Sequence, residues 1–285
     1  MNVRKSVPVP LRRAGRRASV AVGTWTADLR SEPGFLLVGA QRCGTTSLYR
    51  ALMSHPRITP PVLHKGVNYF DVNYERGWRW YVGHFPVRLP RADSEPRLAF
   101  DASGYYMFHP HAPGRIVRDL PEVKVVAMVR DPVERAYSAY QHEYARGFET
   151  QTWPRALELE DSRVEPELQH MLDDPGYESF SYRHHAYRRR GHYARQLQPF
   201  VEVLGQSRVH IVESERFFEN PEEEFTRLLR FLELPVVMPP TFDRYNPRPR
   251  NPMPAEIRAE LSDHFQPYDA ELERLLGGRP PRWRE

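Results

Sequence analysis

The chain has 285 residues, 40% hydrophobic and 12% aromatic, which is enough to bury one large or two modest cores and excludes a disordered chain. No run approaches the roughly 20 apolar residues that cross a bilayer, and the single cysteine, Cys43, excludes an internal disulfide and suits a reducing, cytoplasmic setting. The net charge of +4 is uneven: residues 1–34 carry seven basic and two acidic side chains, so residues 35–285 sum to −1 and hold no basic surplus for nucleic acid.

Residues 1–34 read as a basic, solvated and disordered arm. Its apolar stretch, Ala18 to Trp25, is short and no A-x-A site follows, so it is a poor secretion signal. Phe35 to Ala40 predicts a short buried strand that breaks at Gly39 to Gly44. Thr45 to Met53 then has helix spacing, with Leu48 and Leu52 four apart. Arg97 to Asp101 is the next strand expectation, after a polar, Pro-bounded loop. Residues 111–120 predict a helix ended by Pro121. Val123 to Val129 is apolar almost throughout, as suits a central parallel strand covered on both faces. Asp131-Pro132, an N-cap and first-turn proline, opens a helix over 132–146. A second helix is expected over 153–160. Residues 161–180 are polar and broken by Pro and Gly, hence a loop or insertion. Helix 181–204, strand Val209 to Val212, helix 222–232 entered through Asn220-Pro221, a Pro-rich connection over 235–254 and helix 255–276 complete the chain. This alternation predicts an α/β fold: one P-loop-like domain over 35–285, a central parallel sheet between helical layers, and a helical C-terminal segment.

Two constellations carry chemistry. The first is FLLVGAQRCGTTSLYR, residues 35–50: a strand, a Gly-bounded turn and a helix start, whose unpaired N–H groups and dipole favour an anion. Gly39 to Gly44 fits the phosphate-loop spacing G-x-x-x-x-G-K-[ST], but Thr45 stands where the lysine belongs and the cation sits inside the loop at Arg42. That suits a phosphate-like group better than ATP hydrolysis, in which the lysine reaches the terminal phosphates. The second is Arg130 to Ser138 after the strongest strand. A guanidinium and a hydroxyl there offer a second phosphate site; the plainer reading pairs Arg130 with Glu134.

With both segments in view, the chain resembles the sulfotransferases that use 3′-phosphoadenosine 5′-phosphosulfate (PAPS), specifically their Golgi-type and bacterial carbohydrate-modifying branch. The family's 5′-phosphosulfate loop, close to G-x-[QR]-K-x-G-T-[TS], reads GAQRCGTT at 39–46. Its 3′-phosphate segment, close to R-[DN]-P-x-x-R-A-Y-S, reads RDPVERAYS at 130–138. Further similar stretches are Lys65 with Tyr69-Phe70-Asp71, Asp101 with Ser103 and Tyr106, Tyr140-Gln-His142, and Arg190-Gly191 through Tyr193 to Leu197.

The resemblance implies sulfuryl transfer from PAPS to a hydroxyl or amine of a glycan, glycolipid or small molecule, by a bacterial, cytoplasmic enzyme without a metal. It places Arg42 and the N–H groups of Cys43, Gly44, Thr45 and Thr46 on the 5′-phosphosulfate, and Arg130 and Ser138 on the 3′-phosphate. Arg190, Gly191 and Tyr193 would close over the nucleotide. Arg42, Lys65 and His142 form the expected catalytic set.

Two departures stand out. The loop's usual lysine is Arg42, and Gly66 occupies the place where relatives often carry a catalytic glutamate after the lysine at 65. His142 is then the preferred base, with His64, Asp101 and Glu149 as runners-up. His184-His185 is expected to be solvated or in contact with acceptor. Segments 60–80, 140–190 and 243–252 are expected to bind acceptor. A P-loop kinase or NTPase, and a catalytically silent nucleotide- or glycan-binding module, are the alternative functions.

Overall fold

The computed structural model describes residues 9–62, 65–88, 97–243 and 252–285. The first half contains α1 (Val9–Trp25), β1 (Pro33–Gly39), α2 (Thr45–Met53), β2 (Ile58–Thr59), α3 (Trp78–Val82), β3 (Leu98–Asp101), α4 (Ala112–Asp119) and β4 (Lys124–Val129). There follow α5 (Pro132–Ala145), α6 (Trp153–Glu158), α7 (Glu160–Asp173), α8 (Phe180–His184), α9 (Tyr193–Leu204) and β5 (Val209–Glu213). The chain closes with α10 (Ser214–Glu219), α11 (Pro221–Phe231) and α12 (Ala255–Leu275).

The five strands form one parallel sheet in the order β2-β3-β1-β4-β5. Phe35 to Val38 of β1 and Val125 to Val129 of β4 are almost wholly buried, so both sheet faces are covered, as a central parallel pair requires. After β1 the chain crosses to the β3 and β2 side; after β4 it crosses to the β5 side. The crevice between the C-terminal ends of β1 and β4 is therefore a topological switch point, where open α/β sheets bind ligands.

Three local expectations need correcting. The leader expected to be disordered is helical over Val9–Trp25, and α1 packs along α3 with its buried Gly23 against Gly83. Residues 1–8 lie outside the described residues, and the domain boundary at 34 and 35 stays our proposal. Residues 161–180, expected to be a loop, lie largely in α7. Val164 and Met171 are buried there, with Leu168 packed beside them, against Tyr105, Phe108 and Tyr182. This apolar stripe outweighs the backbone bond lost at Pro166. The single helix expected over 181–204 is split into α8 and α9. The buried Glu160 carboxylate accepts the Arg188 and Arg189 N–H groups at 2.8 and 2.9 Å, which turns the chain between them.

Candidate active site

The turn after β1 enters α2 through Gly44, whose φ of 91° is left-handed and open to glycine without strain. Arg42, also left-handed at φ 72°, lacks that freedom, a strain of order 1 kcal/mol or more. Its Nε donates to Ser138 Oγ at 3.0 Å, across the switch point. Lys65 reaches the same helix start from below: its Nζ donates to Thr45 Oγ1 at 3.4 Å and to Thr46 Oγ1 at 3.3 Å. The cation that the loop lacks at Thr45 is thus delivered by a segment twenty residues downstream. Burial lowers the Lys65 pKa to about 8.

The strap that carries Lys65 is pinned by the end of β3. Asp101 Oδ1 accepts the Val67 N–H at 3.0 Å, Ser103 Oγ accepts the Asn68 N–H at 2.9 Å, and Tyr106 Oη accepts the Tyr69 N–H at 2.7 Å. Asp101 also accepts from Ser103 Oγ, Tyr106 Oη and Tyr81 Oη at 3.0, 2.7 and 3.4 Å. It is fully buried, and burial raises its pKa despite those bonds. Asp101 is therefore a structural anchor, not the base that sequence reasoning held in reserve. A Cβ on Gly66 would lie 2.7 Å from the Ala102 carbonyl oxygen, so the strap closes on β3's end only because position 66 has no side chain.

At the end of β4, Asp131 Oδ1 caps α5 by accepting the Val133 N–H at 2.9 Å, as its sequence signature predicts. Arg130 pairs with Glu134 at 3.4 Å, and Arg258 of α12 bonds the other oxygen of that carboxylate. Ser138 is buried one turn further along α5. Tyr193, also buried, donates to the Arg130 carbonyl at 2.7 Å and lies 3.7 Å from Cys43 Sγ. Burial pushes the Cys43 thiol up to about 11, so it is a packed residue rather than a reactive one. Gly191 packs against Pro132 and Phe265. Tyr193 and Gly191 thus lie against the end of β4 and the start of α5.

Arg190 is buried, yet it faces the loop: Nη1 donates to Gln41 Oε1 at 3.3 Å, and the guanidinium lies on the Phe108 and Tyr105 rings. Burial lowers its pKa to about 10, which leaves it cationic near neutrality. The Gln41 amide nitrogen donates in turn to Glu143 Oε1 at 3.3 Å. Glu143 Oε2 accepts from His184 Nδ1 at 3.0 Å. Burial alone would raise the Glu143 pKa; the His184 hydrogen bond and charge, with Arg146 and His142, outweigh it and hold the carboxyl below its ordinary value.

His142 is half-buried one turn past Ser138 on α5. His184 is held by Glu143 rather than solvated, and His185 Nε2 is 3.0 Å from the Phe148 carbonyl. Glu149 is buried and fully engaged by the Thr150 and Gln151 N–H groups, Arg163 and Tyr187, which removes it as a base. His64 and most of 243–252 lie outside the described residues. Sequence reasoning missed Gln41, Glu143 and His184 as a unit; the only signal was that Gln41 sits in the loop motif and Glu143 directly follows Tyr140-Gln-His142. Among the described residues no group of three or more His, Cys, Asp or Glu side chains is placed to hold a metal. No described helix is long and apolar enough to cross a membrane.

Arg42, Lys65 and Arg130, the hydroxyls of Thr45, Thr46 and Ser138, and a helix start lie about one crevice. That donor set matches a ligand with two separate anionic groups. Residues 32–245 match the family model described as a sulfotransferase domain. The bifunctional heparan sulfate N-deacetylase/N-sulfotransferase of Drosophila melanogaster is 30% identical over 227 residues, covering 73% of this chain and 20% of that protein. The human enzyme of the same description, form 2, is 27% identical over 292 residues, covering 88% of this chain and 30% of that protein. The chain therefore spans only a fifth to a third of these curated relatives. The crystal structure of a sulfotransferase from Alicyclobacillus acidocaldarius is 28% identical and covers 90% of this chain and all of its own, with a TM-score of 0.71.

Proposed function

From the premise that this chain belongs to the sulfotransferase family, we propose that its crevice takes PAPS with Lys65 and Arg42 at the transferring end and Arg130 and Ser138 at the 3′-phosphate. The chain is a PAPS-dependent sulfotransferase. The observation that supports this placement is the Arg42–Ser138 hydrogen bond, which joins the two phosphate segments into one site. The N–H groups of Cys43 to Thr46 hold the 5′-phosphate, with the cations beside the bridging oxygen. Arg190 acts one step back, by fixing Gln41.

The transfer is an in-line displacement at sulfur. An acceptor lone pair forms the new bond to sulfur, the bond from sulfur to the 5′-phosphate oxygen breaks, and its electron pair stays on the departing bisphosphate. Charge grows on that oxygen in the transition state, where Lys65 and Arg42 stabilise it more than in the ground state.

The acceptor in this reading is a glycan hydroxyl or amine. The relatives' names support it, and so does the exposed Tyr144 in an expected acceptor segment. We place the enzyme in a reducing, cytoplasmic compartment on its lone, buried cysteine, which cell fractionation tests. The acceptor reading is tested with sulfur-labelled PAPS and a panel of N-deacetylated heparosan, chitosan oligomers, a glycolipid and simple phenols. Label in a polysaccharide supports the glycan reading; label confined to phenols contradicts it.

A further inference from the structure

Gly66 leaves the family's carboxylate position without a side chain, and Asp101 and Glu149 are committed elsewhere. We propose that His184 is the general base of the transfer and that Glu143 is its positioning residue. This rests on the donor placement above.

The geometry is that of an oriented base. Glu143 is 1% exposed, and its carboxylate accepts from His184 Nδ1 at 3.0 Å. An ionised carboxylate there fixes the tautomer: Nδ1 carries the proton and Nε2 presents a lone pair. The same carboxylate accepts from Gln41, the residue before Arg42, so two successive hydrogen bonds tie the imidazole to the donor loop. Arg190 holds the other end of the Gln41 amide. The His184 side chain is 13% exposed, sheltered but open, and its ring packs against both Phe148 and Phe180 at 4.6 and 4.7 Å. The half-exposed Phe180 ring beside it gives an acceptor a surface to lie on.

The step balances. The acceptor O–H or N–H gives its proton to His184 Nε2 as its lone pair closes on sulfur, and the bond electrons leave with the 5′-phosphate oxygen. The imidazolium that results is stabilised by the Glu143 charge. The charged and titratable groups that act on this pair are His142 on α5, Arg146 just past its end, Tyr187, and Arg190 beyond Gln41. His142, adjacent in sequence to Glu143, is the rival base.

The test uses the full chain with PAPS as donor and water as acceptor. Release of the bisphosphate product is followed from pH 5 to 9, and product binding is measured by calorimetry in each variant. The wild-type rate should fall on the acid side as the base takes up a proton. His184→Gln should lose about 10²-fold or more and lose that limb. Glu143→Gln should keep a limb but displace it, with a smaller loss; a merely structural role would not move it. His142→Gln should keep the acid limb that His184→Gln loses. Product affinity should change less than threefold throughout. An unchanged limb in His184→Gln, its loss in His142→Gln, or no turnover by the wild type at any pH would overturn the assignment. Retained product binding in those cases leaves the donor site standing; lost binding removes the donor site itself.

Discussion

Arg42 and Ser138, 96 residues apart, meet at 3.0 Å across the switch point of the sheet. One belongs to the loop after β1 and the other to the helix after β4. Each segment alone is a weak phosphate motif; their contact brings the two together at one crevice. The strained backbone at Arg42 is consistent with a side chain aimed for function, since strain of this kind is retained where the surroundings impose it.

Arg42→Ala should lower kcat by about 10²–10³-fold, the typical cost of one donor to a developing oxyanion. Its effect on the affinity of the bisphosphate product should stay below about tenfold, because the charge it meets grows only in the transition state. Arg42→Lys should keep much of the activity, since it retains the cation and imposes the same backbone. Steady-state kinetics and product titration on both variants check this; an unchanged kcat in Arg42→Ala removes the residue from the chemistry.

Lys65 supplies a cation to the helix start with a pKa lowered to about 8 by burial. A depressed amine pKa means that the charged form is the one lost early as pH rises. The alkaline limb of kcat/KM should therefore fall near pH 8, and Lys65→Arg, which stays charged, should carry its activity well beyond pH 9 at a reduced level. An identical alkaline limb in the two proteins would assign that limb to another group. Stability carries the opposite sign: the unfolded chain binds the proton more tightly, so this group adds stability as pH rises from about 8 toward the unfolded lysine value near 10.4.

Returning the family's glutamate at position 66 should harm the protein. A Cβ there meets the Ala102 carbonyl oxygen at 2.7 Å, so the strap must shift off β3. Gly66→Glu should cost about 1–3 kcal/mol, visible as a lower Tm, and should lower activity because Lys65 moves with the strap. A stable, more active Gly66→Glu would show that the position is a plain loss of base.

Much of this was legible in the sequence. The bounds of α2 and the positions of β1, β4 and α5 follow from unmixed local signals: a continuous apolar strand, a Gly-bounded turn, and Asp131-Pro132. Both phosphate segments and the Arg130–Glu134 pair are local patterns too. What failed needed tertiary partners. The polar appearance of α7 conceals Val164 and Met171, which are legible as core only beside Tyr182. The break between α8 and α9 is written in Glu160, some thirty residues away. Lys65, Asp101 and Glu143 have roles set by groups that meet them from other elements, and no spacing rule reports such meetings.

Asp101→Ala should be among the most destabilising single changes. It leaves the Val67 N–H and the Ser103, Tyr81 and Tyr106 hydroxyls buried without their acceptor, a loss of about 3–5 kcal/mol. Asp101→Asn, which keeps the shape and one acceptor, should cost clearly less. Urea unfolding of both variants measures it; equal stability of Asp101→Ala and the wild type would show that the strap is not held there.

In the proposed function, one crevice reads both ends of a 3′-phosphorylated nucleotide. Calorimetry with 3′-phosphoadenosine 5′-phosphate, AMP and ATP tests it most directly. The bisphosphate should bind about 10–100-fold more tightly than AMP or ATP, the worth of charge-assisted contacts of about 1.5–3 kcal/mol at Arg130 and Ser138. Arg130→Ala should abolish that preference and leave AMP binding nearly unchanged. Equal affinities for the bisphosphate and AMP in the wild-type protein would contradict the claim.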